Sequence, residues 1–265
     1  MGTETRAIAV EVPPRSAVGK IVGIQFAIGA AFVLIWQLIG EVPGVATLIG
    51  TPLGTLAQLG EWVFDPEFWG NVATTVMNAF VGFLIGVIGA CVFLALTYPI
   101  RLVRRFVSPF LAVLNAVPRV ALAPLFIVWF GIGSGSSIAF VVAMIFLMIY
   151  INIFTGLSTI DQVYVHNAQM LGARGWQLAQ SVYIPAVGTW IMSSLRLAAI
   201  WSVLGAAVAE YLAGSRGLGG YLARGGVLGE PDMLIAAAIV IAIISLIADA
   251  LLSRLEKRYA RWRLF

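Results

Sequence analysis

The 265 residues of this chain are 61% hydrophobic and 11% charged, whereas typical soluble domains are roughly 45–50% apolar and about 25% charged. This composition excludes a soluble globular domain, because a water-facing surface needs more polar side chains, and lipid must surround most of the chain. The net charge of +4 does not indicate nucleic-acid binding, because the basic residues cluster beside apolar runs, where they set membrane topology.

Six apolar runs are each long enough to cross the ~30 Å hydrocarbon core of a bilayer as a helix. In chain order they are residues 21–40, 72–98, 107–131, 137–158, 188–212 and 233–252. The third run contains Pro118, Arg119 and Pro124, which predict a broken or kinked helix, because proline removes a helical hydrogen bond. The sequence therefore predicts an all-α membrane protein with six transmembrane helices.

The basic residues predict the orientation of these helices. They are concentrated in residues 1–20, 101–105 and 253–265. The connection at 41–70 lies on the other side and contains neither lysine nor arginine, whereas the 213–232 loop is an exception that carries Arg216 and Arg224. The positive-inside rule places both termini in the cytoplasm. The predicted organisation is a cytoplasmic segment at 1–20, one transmembrane domain at 21–252 and a basic cytoplasmic tail at 253–265.

Few residues in the chain are suited to catalysis or to metal binding. Cys91 is the single cysteine and His166 the single histidine, which is too few for a zinc site. The chain also lacks a phosphate-binding loop of the G-x4-G-K-[ST] type. We therefore expect no enzymatic activity and no cofactor held by this chain itself.

The loop at residues 159–186 is the most informative connection in the sequence. Asp161 is suited to cap a helix whose apolar positions include Val163 and Val165, and Gly172 is expected to end or bend it. A second apolar set follows and runs to Pro185, which leads into the fifth span. Such a compact loop suits docking into another protein, although these features alone favour a plain amphipathic connector.

The 159–186 loop resembles the cytoplasmic signature of binding-protein-dependent permeases, written E-A-A-x3-G-x9-I-x-L-P. The residues at matching spacings are Ala168, Gly172, Val182, Ile184 and Pro185. His166 and Asn167 stand where the signature has its glutamate and first alanine, so the acidic contact of the family is missing here. Residues 114–133 and 209–222, and the ending DALLSRLEKRYARWR, resemble the nitrate/sulfonate/taurine type of permease.

The resemblance covers roughly residues 70–263 and implies a five-helix importer core preceded by one additional helix. It implies the permease subunit of an ATP-binding cassette importer in the bacterial inner membrane. Nitrate, a sulfonate, taurine, bicarbonate and small heterocycles are all open as its solute, and Arg119 favours an anion. The implied partners are a second copy of the chain, two ATPase subunits that bind ATP and Mg²⁺, and an extracytoplasmic binding protein. The implied ATPase-coupling residues are His166, Asn167, Ala168, Leu171, Gly172, Ala173 and Pro185.

Three polar residues in the spans, Asn115, Arg119 and Glu210, are candidates for the solute pathway. An arginine deep in a span costs about 2.5–3.5 kcal/mol or more to insert, so Arg119 either attracts an anion or lies near the cytoplasmic end, where it bonds carbonyls freed by the prolines. Glu210 lies near the outer end of the fifth span, where a gate, a binding-protein contact or simple exposure are all open. We expect Arg196 to extend towards the inner surface and Asp249 to pair with a cation.

An ATPase-independent channel or secondary carrier is the alternative from another functional class. Secondary carriers often contain broken helices and inverted repeats. The third span fits a broken helix, but no repeat is visible, and a carrier has no need of a docking loop at residues 159–186.

Overall fold

The computed structural model of the chain describes residues 15–260. All regular elements in the described part of the chain are helices, and it contains no strand. The predicted cytoplasmic segment at 1–20 and the basic tail at 253–265 fall partly outside it, since residues 1–14 and 261–265 are not described.

The helices follow one another in this order. The first half holds α1 (Arg15–Gly40), α2 (Ala46–Ile49), α3 (Pro52–Val63), α4 (Pro66–Thr97), α5 (Arg101–Ala116), a 3-10 turn (Arg119–Leu122) and α6 (Ala123–Phe130). The second half holds α7 (Ser134–Ser158), α8 (Gln162–Met170), α9 (Trp176–Leu178), a π turn (Ala179–Tyr183), α10 (Ile184–Ala213), α11 (Leu218–Leu228) and α12 (Pro231–Ala260).

Five segments among the described residues are long and apolar enough to cross a membrane. They are Ile21–Gly40, Pro66–Thr97, Ser134–Ser158, Trp176–Ala213 and Pro231–Glu256. A sixth span is formed if the bent pair Leu102–Ala116 and Arg119–Phe130 is counted as one. The all-helical class and a count of five to six membrane helices are therefore confirmed.

The predicted third span is broken sharply. Its two halves meet at an angle of 89°. The chain leaves the helical conformation at Val117 and Pro118, whose ψ angles are 126° and 100°. The residue before a proline is driven out of the α region by the proline ring, and Pro118 itself offers no N–H to continue the helix. Pro118 therefore explains the break that the sequence predicts.

Helices α4, α7 and α10 form the centre of the bundle, with α12 and α11 packed on α10. Glycines allow the closest approach, because a Cβ added at Gly82 or Gly86 would stand 2.6 Å from Val141 Cβ or 2.9 Å from Ile145 Cβ on α7. In lipid no hydrophobic effect drives helices together, so small residues that permit close van der Waals packing hold such a bundle. Ile149 and Ile153 of α7 are fully buried in this core.

Helix α1 stands outside this bundle. No residue in its apolar window is buried, and its main contacts are with α2 and α3. The indole of Trp36 donates hydrogen bonds to the carbonyl oxygens of Ile49 and Gly50 at 3.3 and 3.2 Å. The structure thus agrees with a core of later helices to which α1 is an addition.

Candidate functional site

Helix α8, in the 159–186 loop, has a defined cap at each end. The N–H of Val163 donates to the Asp161 carboxylate at 2.9 Å. At the other end the N–H groups of Gly172 and Ala173 donate to the carbonyls of Gln169 and Ala168 at 3.0 and 2.9 Å. This pattern is a Schellman motif, which needs a residue with positive φ at its centre, and Gly172 has a φ of +91°. The predicted end of the helix at Gly172 is confirmed.

The Schellman motif explains why the signature has a glycine at the position of Gly172. The carbonyl of Ala168 and the N–H of Ala173 are bonded to each other across the turn, and both side chains are half-buried. Gly172 has no atom within 4 Å of an added Cβ, so its glycine is required by backbone conformation and not by lack of space.

The surface of the 159–186 loop exposes large apolar side chains. Met170 and Leu171 are 79% and 90% exposed, and Val165 is the buried residue of α8. His166 and Asn167 are also exposed. Exposed apolar side chains of this kind are available for contact with another protein or with lipid.

The structure brings six of the seven predicted coupling residues together on one turn-capped helix, His166 to Ala173, and places the seventh elsewhere. Pro185 lies in the first turn of α10, after the π turn. The helical segment is continuous from Trp176 through the π turn into α10, so Pro185 lies inside the fifth span. Its role in coupling stays a prediction.

The 159–186 loop is tied to the core by aromatic contacts. The ring of Tyr98, at the end of α4, lies 5.9 Å from that of Phe154 on α7 and 6.4 Å from that of Tyr183 in the π turn. Burial raises the pKa of the Tyr98 phenol, and the neighbouring Arg104 guanidinium opposes that shift. Helix α8 itself packs on the π turn, so Tyr183 of that turn links the loop to Tyr98 at the end of α4.

Two predicted pathway residues meet at the break between α5 and α6. The guanidinium Nη2 of Arg119 donates to Asn115 Oδ1 at 2.9 Å. Asn115 is exposed and Arg119 is half-buried. The guanidinium is thus held by a side-chain oxygen at the break, and its role in a pathway stays a prediction.

The structure contradicts simple exposure of Glu210, one of the three alternatives that the sequence leaves open, and its role at a gate or in a pathway stays a prediction. Its side chain is fully buried among α4, α10 and the start of α11. Its carboxylate accepts hydrogen bonds from Thr75 Oγ1 at 2.7 Å, Asn78 Nδ2 at 3.0 Å and the N–H of Gly219 at 3.2 Å. These partners satisfy a buried carboxylate, so Glu210 holds three helices together within one chain.

The glycine-rich run at residues 214–220 is the start of α11, and side chains from α4 cap it. The N–H of Gly217 donates to Asn71 Oδ1 at 2.7 Å, and that of Leu218 donates to Thr75 Oγ1 at 2.8 Å. A Cβ at Gly219 would collide with the carbonyl oxygen of Ala207, so only glycine fits at this crossing. The Glu210 carboxylate accepts from the backbone N–H that follows. The successive backbone N–H donors at the start of the helix therefore all have an acceptor.

The capping residues Asn71 and Thr75, with Asn78, were not identified from the sequence. They recur at intervals of four and three residues in an otherwise apolar span, which places them on one helix face. That spacing was the available signal, but their partners could be found only from the packing of α4 on α10 and α11.

A second carboxylate, Asp249 on α12, pairs with Arg196 on α10. Arg196 donates to it through Nε and through Nη2, the latter at 2.9 Å. The expected pairing of Asp249 with a cation is confirmed, whereas Arg196 bonds a neighbouring helix instead of reaching only towards the membrane surface.

No group of three potential metal ligands occurs within residues 15–260.

Comparison with known proteins gives the family. Residues 82–261 match the family described as binding-protein-dependent transport system inner membrane component. The chain is 29% identical, over 98% of its length and 94% of the relative's, to a Bacillus subtilis protein named as the aliphatic sulfonates transport permease SsuC. It is 33% identical to the taurine transport system permease protein TauC of Escherichia coli, over 75% of this chain and 72% of TauC.

A solved structure supports the fold. A chain of an amino acid ABC transporter matches 76% of this chain and 97% of its own length with a TM-score of 0.62 at 20% identity. The matched family region begins after α1, inside α4, which fits the position of α1 outside the core. This chain belongs to the family of binding-protein-dependent transport system inner membrane components, which are transport permeases.

Proposed function

We propose that the chain forms the translocation pathway of an ATP-binding cassette importer for a small sulfonate-like anion. ATP is hydrolysed by two ATPase subunits docked on the 159–186 loops of two copies of this chain, and a binding protein delivers the solute to the opposite face. The observation that carries the proposal is α8, a capped helix with exposed apolar side chains. It packs on the π turn, whose Tyr183 contacts Tyr98 at the end of α4.

The geometry suits the transmission of a rigid-body movement. A short helix with both ends capped moves as a unit, and α8 packs on the π turn that leads into α10. Tyr183 of that turn contacts Tyr98 at the end of α4, and the ring of Tyr98 contacts Phe154 of α7. Closure of the ATPases would tilt these spans together and favour one of two arrangements of the bundle. Both termini and the 159–186 loop lie in the cytoplasm in this account.

The dimer is supported by the surface of the bundle. A groove of about 660 Å³ between α10 and α12 is lined almost entirely by apolar side chains, including Ile200, Leu204 and Leu246. Such a groove can face lipid or a second copy, and the family resemblance favours the second copy. The two copies together would enclose a pathway that one copy leaves open.

Two observations favour an anionic sulfonate as the solute. Two of the relatives are named for aliphatic sulfonates and for taurine, and both solute classes carry a sulfonate group. In addition, Arg119 presents a guanidinium at the helix break, beside Asn115. Guanidinium groups bind oxyanions well, because their planar donors match two oxygens at once.

The experiment is solute uptake into liposomes by the purified permease, its ATPase and its binding protein, with labelled taurine or an alkanesulfonate. We expect uptake to require ATP hydrolysis, and Arg119→Ala to lower it at least about tenfold, because a charge-assisted contact to the anion is lost. Arg216→Ala, at an exposed arginine of the loop before α11, is the control and should retain uptake within about twofold.

Two outcomes would count against the proposal. Uptake that continues without ATPase and ATP would establish the channel or carrier alternative. Uptake that depends on ATP but is unaffected by Arg119→Ala would retain the importer and remove Arg119 from the anion pathway.

A further inference from the structure

A polar pocket of about 550 Å³ lies between α8 and the junction of α4 with α5. One wall consists of His166, Gln162 and Gln169 of α8, and the opposite wall contains Arg104, Tyr98 and Tyr183. Whatever fills this pocket touches both the exposed helix of the 159–186 loop and the end of a membrane span.

Several of the side chains that line the pocket can donate hydrogen bonds, among them Arg104 and His166. The guanidinium of Arg104 lies 5.0 Å from the centre of the Tyr98 ring, and within residues 15–260 it forms no ion pair. No carboxylate belongs to the described lining. A guanidinium on an aromatic face, with an imidazole and two carboxamides across from it, is complementary to a carboxylate.

The charge at this place differs from that of the signature that the loop resembles. His166 occupies the position of the signature's glutamate, so the acidic group is absent from α8 and a cation lines the pocket behind it. A protein that docks on α8 must therefore supply the opposite charge if the contact is to be satisfied.

We propose that this pocket receives an acidic side chain, Asp or Glu, from the ATPase that docks on the 159–186 loop. The proposal rests on the proposed function, because it names the chemistry of that partner at the same surface. The carboxylate bonds Arg104 and His166 together, which connects the docking helix to α5 through the partner. Charge complementarity then adds to the apolar contacts of Met170 and Leu171 and selects the correct ATPase.

The test is retention of the ATPase by the affinity-tagged permease, with the two proteins co-expressed and purified in detergent. We expect Arg104→Gln to lower retention at least about tenfold, and His166→Glu to do the same, since its carboxylate would pair with Arg104 and repel the partner's acid. Arg105→Gln is the matched control, because Arg105 is the exposed neighbour of Arg104 and does not line the pocket. It should retain the ATPase within about twofold.

A charge exchange keeps the proposal falsifiable if Arg104→Gln folds poorly. Arg104→Glu should lose the ATPase, and substitution of one Asp or Glu of the ATPase by Lys should restore retention. His166→Glu is a second, independent variant for the same retention experiment, because His166 is exposed and its replacement does not disturb the core.

The failures can be told apart. If the wild-type permease retains no ATPase, the proposed function itself fails. If the wild type retains it and both Arg104→Gln and His166→Glu retain it equally, the acidic contact is overturned. Persistent binding of phospholipid that is lost only in Arg104→Gln would assign the pocket to a lipid phosphate and would also overturn it.

Discussion

The buried carboxylate of Glu210 joins α4, α10 and α11 at the end of the bundle opposite the 159–186 loop. It accepts hydrogen bonds from Thr75 and Asn78 and from the N–H of Gly219. In a low-dielectric interior these bonds are strong, and a donor left without its acceptor costs about 1–3 kcal/mol. Glu210 is therefore expected to determine the position of α11.

Replacement of Glu210 by Ala should lower stability markedly, because Thr75 and Asn78 would lose their acceptor in a buried site. We expect the melting temperature of the purified permease in detergent to fall by several degrees, with a smaller fall for Glu210→Gln, which keeps one oxygen. The control is Glu61→Ala, at an exposed glutamate of α3. Equal melting temperatures for Glu210→Ala and Glu61→Ala would show that the network adds nothing to stability.

Single residues were predicted well where the backbone alone determines their role, and poorly where a partner does. The positive φ of Gly172 and the break at Pro118 follow from local geometry, so the sequence sufficed. The burial of Glu210 depends on hydrogen-bond donors more than 130 positions away along the chain. No local pattern contains that information, which is why the sequence leaves a gate, a binding-protein contact and simple exposure all open for this carboxylate.

At the scale of elements, the spans were predicted in number and kind, but their ends were not. Helix α4 begins at Pro66, six positions before the predicted 72, because Asp65 caps it by accepting from the N–H of Glu67 at 2.9 Å. The fifth span continues back through the π turn to Trp176. Hydropathy detects the apolar middle of a helix, whereas caps and turns that extend it beyond the membrane are polar.

The contact between α4 and α7 should fail if its glycines are enlarged. A Cβ at Gly82 would already stand 2.6 Å from Val141 Cβ, so Gly82→Leu must separate the helices, at a cost of about 1–3 kcal/mol. We expect a lower melting temperature in detergent and a lower yield of folded permease. Gly70→Leu on the same helix has open space around its Cβ and serves as the control. Equal stability of the two variants would contradict the packing described here.

At the scale of the whole molecule, the two ends of the bundle differ in character. One end carries the 159–186 loop with exposed Met170 and Leu171. The other carries α3, which is held to α12 by a hydrogen bond of 2.6 Å from the Thr51 N–H to Asp232 Oδ1. An importer needs this asymmetry, because ATPases bind one face and the binding protein the other.

The orientation can be tested with cysteines, since Cys91 is the single native one. In a Cys91→Ser background, Glu61→Cys should react with a membrane-impermeant maleimide in intact spheroplasts, and Leu171→Cys only after lysis. Both positions are exposed in the structure, so accessibility within the chain does not decide the result. Labelling in the reverse order would invert the topology and separate the 159–186 loop from any cytoplasmic ATPase.

The central claim is that the 159–186 loop docks an ATPase. Its most direct test is purification of the tagged chain from native membranes, comparing the wild type with Gly172→Val. The valine must adopt the φ of +91° that β-branched residues avoid, so the Schellman motif opens and α8 loses its shape. Gly60→Val in α3, where an added Cβ meets no atom, is the control. We predict that the wild type and Gly60→Val bring down an ATPase and that Gly172→Val loses it at least about tenfold. Recovery of no ATPase with the intact wild-type chain, or equal recovery with Gly172→Val, would contradict the account.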